Sequence, residues 1–205
     1  RDLSLMGGRL RPQPPTLAWA MHCAAGMGHK SSHLSDTHSL RKRARDHLEK
    51  GPITEAYGAD RQEVLKLLND ALASELVCVL RYKRHYYAAN GVNGDMVKAE
   101  FLEHAIEEQL HADRIAARIV QLGGLPDFSP DTLSKRAHSE YTEGDGLREM
   151  VKEDLIAERI AIESYGEIIK YLGDGDPTTR RMMEEILAKE EEHAEDLLSL
   201  LHGTK

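Results

Sequence analysis

The feature that most constrains this chain is a set of four long segments with helical periodicity, each of which places a glutamate where its apolar stripe calls for a hydrophobic side chain. The segments run at about 60–89, 95–122, 146–172 and 177–201. In the first, Leu65, Leu68, Leu72, Glu75, Val79, Tyr82 and Tyr86 recur at spacings of three and four, the pattern a bundle helix buries. The second reads Phe101, His104, Glu108, His111, Ile115, Ile119 and Leu122. The third reads Val151, Leu155, Glu158, Ile162, Tyr165, Ile169 and Leu172, and the fourth Met183, Leu187, Glu190, His193, Leu197 and Leu201. With only 5% aromatic residues, 30% charged residues and this periodicity, the sequence predicts an all-α fold.

The connections set the topology. Asn90-Gly91-Val92-Asn93-Gly94 and Gly173-Asp174-Gly175-Asp176-Pro177 are short and glycine-rich, so segments one and two, and three and four, form antiparallel hairpins. The middle link, Gly123 to Asp145, is much longer. A helix of about 27 residues is roughly 40 Å long, and a link of about 23 residues at up to about 3.3 Å each can traverse that length. The predicted arrangement is an up-down-down-up four-helix bundle with a long crossover between helices two and three. The midpoint between Glu75 and Glu108 falls within the first turn, and that between Glu158 and Glu190 on Asp174 in the second. Each pair is therefore level across its own hairpin, and all four glutamates can meet at mid-bundle height.

The pattern is doubled. A lone glutamate, Glu75, is followed on the next helix by Glu108-x-x-His111, and Glu158 is followed by Glu190-x-x-His193. Positions i and i+3 share a helix face, so each Glu-x-x-His can offer an oxygen and a nitrogen to one metal ion, while the lone glutamates complete or bridge the pair. Four buried carboxylates without compensation would be strongly unfavourable, whereas two divalent cations cancel four negative charges. Carboxylate and imidazole donors with open positions suit Fe(II) or Mn(II) and oxygen chemistry; structural zinc more often takes thiolates in a closed tetrahedron. A single Glu-x-x-His in so acidic a chain carries little weight, but two, with two lone glutamates at symmetric core positions, define a candidate dinuclear site.

Several neighbours are open to two readings. Tyr82 and Tyr165 each lie seven residues beyond a lone glutamate, and can serve the metals by a hydrogen bond or an electron, or simply pack in the core. Asp154 can orient a ligand histidine or be a surface residue. His104 can be an accessory ligand or a hydrogen-bonded core histidine, and Cys78 suits packing better than chemistry.

At this point the chain resembles the bacterioferritin branch of the ferritin-like superfamily over about residues 55–201. The stretches carrying the resemblance are Glu108 to Arg114 (EQLHADR), Leu122 to Pro126 (LGGLP) and Glu190 to Asp196. It implies that Glu75, Glu108, His111, Glu158, Glu190 and His193 are ferroxidase ligands for two iron ions per subunit, with manganese or zinc as substitutes, and that Tyr82 is the near-site tyrosine. It further implies oxidation of Fe(II) by O2 or H2O2 and storage of ferric mineral within a hollow homo-oligomer. The family binds haem through a methionine directly after the second-helix glutamate; Gln109 stands there, so no haem is expected. Only twelve residues follow His193, too few for the short fifth helix of 24-subunit shells, and a 12-subunit, Dps-like shell is expected instead.

The remaining features bound the alternatives. Twenty-seven Lys+Arg against 35 Asp+Glu give −8, which opposes nonspecific nucleic-acid binding. Residues 1–50 nevertheless carry nine Lys/Arg and four Asp/Glu, which keeps a DNA-protecting stress protein in view. A peroxidase or manganese catalase is the other alternative, although the CxxC pairs of a rubredoxin-type donor are absent from the sequence. Cys23 and Cys78 do not form a disulfide framework, and no apolar run nears the roughly 18 residues of a membrane span, so a cytoplasmic protein without a membrane partner is expected. Residues 1–38 read as a disordered or non-native tail, with Met27 a natural start and His29, His33 and His38 a weak metal motif. Residues 39–54 read as a short helix and linker, and 55–202 as the bundle.

Overall fold

The computed structural model describes residues 34–91 and 94–203. Residues 1–33 of the tail expected over 1–38, including Cys23, His29 and His33, lie outside them. Two units are distinguished, one ending at Leu48 and one beginning at Glu49. The first contains α1, Thr37–Asp46, whose N-terminus is capped by the Asp36 carboxylate accepting from the His38 and Ser39 amides. A 3-10 turn, Leu48–Lys50, follows in the chain.

The second unit is built from α2 (Arg61–Ala88), α3 (Gly94–Gln121), α4 (Pro130–Arg136), α5 (Leu147–Leu172) and α6 (Pro177–Gly203). The described residues are helical or irregular, without strands. The Asp60 carboxylate accepts from the Gln62 and Glu63 amides to start α2. At the start of α6, Asp176 accepts from the Thr179 amide at 2.9 Å and its hydroxyl at 2.5 Å, directly before Pro177. Gly91, at φ 97°, lets the chain turn back after α2. Gly124 is needed for a different reason: a Cβ there would lie 2.4 Å from Leu65 Cδ2, so the crossover leaves α3 in close contact with α2.

Two apolar clusters divide the bundle along its length. One gathers Leu68 and Leu72 from α2, Ile115 and Ile119 from α3, Ile168 and Leu172 from α5, and Met183 and Ile186 from α6. The other gathers Tyr82, Val97, Phe101, Met150, Val151 and Leu197. Along the chain, α2 and α6 run from the first cluster to the second, and α3 and α5 run the opposite way. That is the up-down-down-up topology expected from the turns. Glu75, Glu108, Glu158 and Glu190 fall between the clusters on all four helices, at one height.

Two details differ from the sequence reading. The crossover contains the short helix α4, started by Pro130 after Ser129, and it is fastened along α2. Arg136 Nη1 donates to the Asn69 carbonyl at 2.8 Å, Asn69 Oδ1 accepts from the Asp127 amide at 2.7 Å, and the His138 amide donates to Ser74 Oγ at 2.9 Å. The buried face is also wider than a single stripe. Ile186, Ala161 and Ile168 are buried while Leu187, Ile162 and Ile169 are half-buried, because each helix packs against two neighbours rather than along one seam. Among the described residues no helix is long and apolar enough to cross a membrane.

Candidate dinuclear metal centre

Glu75 projects from α2, Glu108 and His111 from α3, Glu158 from α5, and Glu190 and His193 from α6, and all six side chains are buried. Their helical registers bring them into two overlapping groups whose donor atoms lie within 4.8 Å of one another: Glu75, Glu108, His111 and Glu190, and Glu108, Glu158, Glu190 and His193. Glu108 and Glu190 belong to both. The glutamates of the two Glu-x-x-His motifs are thus the ones shared between the groups, whereas Glu75 and Glu158, which the sequence left open as completing or bridging residues, belong to one group each.

Both imidazoles aim Nδ1 inward. His111 Nδ1 lies 3.0 Å from Glu190, 3.5 Å from Glu75 and 3.8 Å from Glu108. His193 Nδ1 lies 3.2 Å from Glu108 and 3.5 Å from Glu190. Proximity is not satisfaction, however. Glu75 Oε2, Glu158 Oε2, both oxygens of Glu190 and His111 Nδ1 are buried without a hydrogen-bond partner among the described residues. Such atoms are costly unless a ligand engages them, and these five all face the same space. An acceptor-rich set of carboxylate oxygens and imidazole nitrogens suits two first-row divalent cations.

The electrostatics are those of a site built for positive charge. Burial, then repulsion from Glu108 and Glu190, raises the pKa of Glu75 and Glu158 well above the carboxylate range. Burial acts the same way on Glu108, but the neighbouring Glu75, His111 and His193 outweigh it and hold Glu108 well below. The histidines behave inversely: burial disfavours their charge, yet the surrounding carboxylates push His111 up to about 12 and His193 up to about 11. Without metal, protons balance the carboxylates.

The tyrosines cross the bundle. Tyr82, on the helix of Glu75, donates to Glu158, and Tyr165, on the helix of Glu158, donates to Glu75 Oε1 at 2.5 Å. Each lone glutamate is thus oriented by a tyrosine from the opposite hairpin. Asp154 does not orient a ligand histidine. It is buried, accepting from Arg81 Nε at 2.7 Å and lying 2.8 Å from His85 Nδ1. The residue facing a ligand histidine is Glu107, whose Oε2 is 2.6 Å from His193 Nε2. The sequence offered one cue for it, its place beside Glu108 on α3, but a glutamate next to the core stripe reads as a solvated residue. His104 joins Tyr82 rather than the six, with Nδ1 3.2 Å from Tyr82 Oη. Burial first, and the charge of His193 second, pull its pKa down to about 3. Cys78 is buried and accepts from Arg81 Nη2 at 3.3 Å. Gln109 points away from the site and donates to Asp113 Oδ1 at 3.0 Å.

The ferritin-like domain family matches residues 65–205, a span that includes all six convergent residues. The chain belongs to the ferritin-like family. This ferritin-like chain is 32% identical to the bacterioferritin of Rhodobacter capsulatus over 137 residues, covering 66% of the chain and 80% of the relative. It is 30% identical to the DNA protection during starvation protein of Pyrococcus furiosus over 156 residues, covering 74% and 83%. Among solved structures it is similar to a dodecameric thioferritin, the bacterioferritin-related protein of Bacteroides fragilis. The TM-score is 0.69 and the identity 32%, covering 71% of the ferritin-like chain and 88% of that protein. Bacterioferritin-like and Dps-like kinship thus meet in one ferritin-like bundle.

Proposed function

We propose that this protein is an iron-storage ferroxidase. The observation that carries the reading is the pair of overlapping four-residue groups with five unpartnered buried donor atoms between them, in a chain whose relatives include bacterioferritins. Two Fe(II) ions bind as substrate, one among Glu75, Glu108, His111 and Glu190, the other among Glu108, Glu158, Glu190 and His193. Each gives one electron to O2 or H2O2 and leaves as Fe(III) for mineral growth.

The chain's own groups prepare that reaction. Glu108 and Glu190 hold the two ions at a fixed separation, and Tyr82 and Tyr165 orient the carboxylates of Glu158 and Glu75. The Glu107 carboxylate fixes the ring of His193. His111 borders a surface groove lined also by Glu107, Leu110, Asp113 and Lys189, which provides a route from solvent. Storage requires a hollow homo-oligomer, and the dodecameric relative supports a 12-subunit shell. Gln109, turned to Asp113, supports a haem-free protein.

A second reading, protection of DNA, is favoured by the relative of that name and by the exposed basic residues Arg41, Lys42 and Arg45 of α1. Aerobic addition of Fe(II) to the purified protein, followed by native mass measurement, tests the storage reading. A soluble ferric core of hundreds of irons per assembly supports it. Uptake that stops at about two irons per subunit while peroxide is consumed repeatedly defeats it in favour of a peroxidase or manganese catalase. A DNA mobility shift that survives deletion of residues 1–50 would support DNA protection by the bundle itself.

A further inference from the structure

The helices that supply the two Glu-x-x-His motifs carry another polar cluster, displaced from the dinuclear centre toward the Phe101 and Leu197 end of the bundle. Glu100 and His104 from α3 and Asp196 from α6 bring one donor atom each within 4.8 Å of one another. His104 is only 1% exposed, whereas the carboxylates of Glu100 and Asp196 are 28% and 47% exposed, so the cluster opens outward from a buried imidazole.

Hydrogen-bond direction decides what that imidazole presents. The Tyr82 hydroxyl gives its single hydrogen to Glu158. Its oxygen therefore has only lone pairs for His104 Nδ1, 3.2 Å away, and Nδ1 must carry the hydrogen. In a neutral ring this leaves the lone pair on Nε2. Nε2 lies 3.3 Å from Glu100 Oε1 and 4.0 Å from Asp196 Oδ2. Ionised carboxylates have no hydrogen to offer, so three electron-pair donors face one another. Among the described residues no ion pair joins either carboxylate to a lysine or arginine. One nitrogen and two oxygens, with solvent on the open side for water ligands, suit a first-row divalent cation.

We propose that Glu100, His104 and Asp196 form a third, mononuclear divalent-cation site in each chain. It shares no ligand with the dinuclear centre but touches it twice. The His104 ring stacks on that of His193, with centroids 4.0 Å apart, and its Nδ1–H bonds to the tyrosine that orients Glu158. A cation on Nε2 would lock the tautomer that this hydrogen-bond chain requires.

Titration of the purified full-length chain with Co(II), followed by calorimetry and visible absorption, counts the sites. Three equivalents per chain are expected for the native protein, two for the double variant Glu100→Gln/Asp196→Asn, and one for Glu108→Gln. Both substituted carboxylates of the double variant are partly solvent-exposed, and circular dichroism checks its helix content. Two equivalents in both the native chain and the double variant, abolished by Glu108→Gln, would overturn the third site alone. No Co(II) binding by the native chain would overturn the dinuclear reading as well. Crystals of the Co(II)-loaded protein should show an anomalous peak bounded by Glu100, His104 and Asp196, and a native map with peaks only at the dinuclear centre would count against the proposal.

Discussion

Two buried ionic clusters sit side by side in this bundle and follow opposite rules. In the Arg81 cluster, one carboxylate meets one guanidinium and one imidazole, and the remaining polar atoms find backbone carbonyls or the Cys78 thiol. Asp154 takes Arg81 and His85, Arg81 Nη1 donates to the Glu140 carbonyl at 3.1 Å, and His85 Nε2 lies 3.1 Å from the Thr142 carbonyl. The candidate dinuclear centre has four carboxylates against two imidazoles, and five of its buried polar atoms find no hydrogen-bond partner among the described residues. Both are buried. Burial of charge therefore does not by itself mark a binding site; unmatched lone pairs converging on one space do. The closed cluster also has a structural task, since Glu140 and Thr142 lie on the crossover and Arg81 and His85 on α2, so it pins the long link to the bundle.

The contrast breaks most decisively at Glu108. Because it belongs to both metal groups, Glu108→Ala should slow rapid Fe(II) oxidation by more than about 100-fold, beyond the 10–100-fold typical of losing an outer partner. Stopped-flow absorbance measures this, and unchanged kinetics would refute the assignment. Asp154→Ala should do the reverse: leaving Arg81 buried and uncompensated costs about 3–5 kcal/mol, read by chemical denaturation, while the Co(II) count of the folded variant stays that of the native chain.

The open cluster should also gain stability from metal where the closed one does not. Mn(II) at about 100 times its dissociation constant should add about 2.7 kcal/mol to unfolding for each site filled, seen as a raised Tm in the native chain and a smaller rise in Glu108→Ala, which keeps only the Glu100, His104 and Asp196 site. Glu107→Gln weakens the hold on His193 Nε2 and should lower metal affinity about tenfold in a competition titration. The smallest effect lies at the hairpin tip. Burial works against the charge of Asp176, but the Thr179 hydrogen bonds and Arg118 hold its carboxyl below the ordinary 3.8. With the folded value depressed, its contribution is present above pH 3.8 and lost as pH falls through that lower value. Asp176→Asn should thus cost about 1 kcal/mol at neutral pH and progressively less in acid denaturation series below about pH 3.8.

The sequence by itself determined the four helices, their directions and the common height of the glutamates. These depend on local quantities: the 3.6-residue period, the capping residues Asp60 and Asp176, the glycines that close the hairpins, and a link long enough to span the bundle. Tertiary packing alone decided the lateral relations. That Glu108 and Glu190 are the shared carboxylates, that Tyr82 reaches Glu158 while Tyr165 reaches Glu75, and that Asp154 serves Arg81 instead of a ligand histidine all depend on which helix faces which, and at what rotation. A periodic stripe specifies a residue's face and height on its own helix. It does not specify the partner across the core, and chemistry in this bundle takes place between helices.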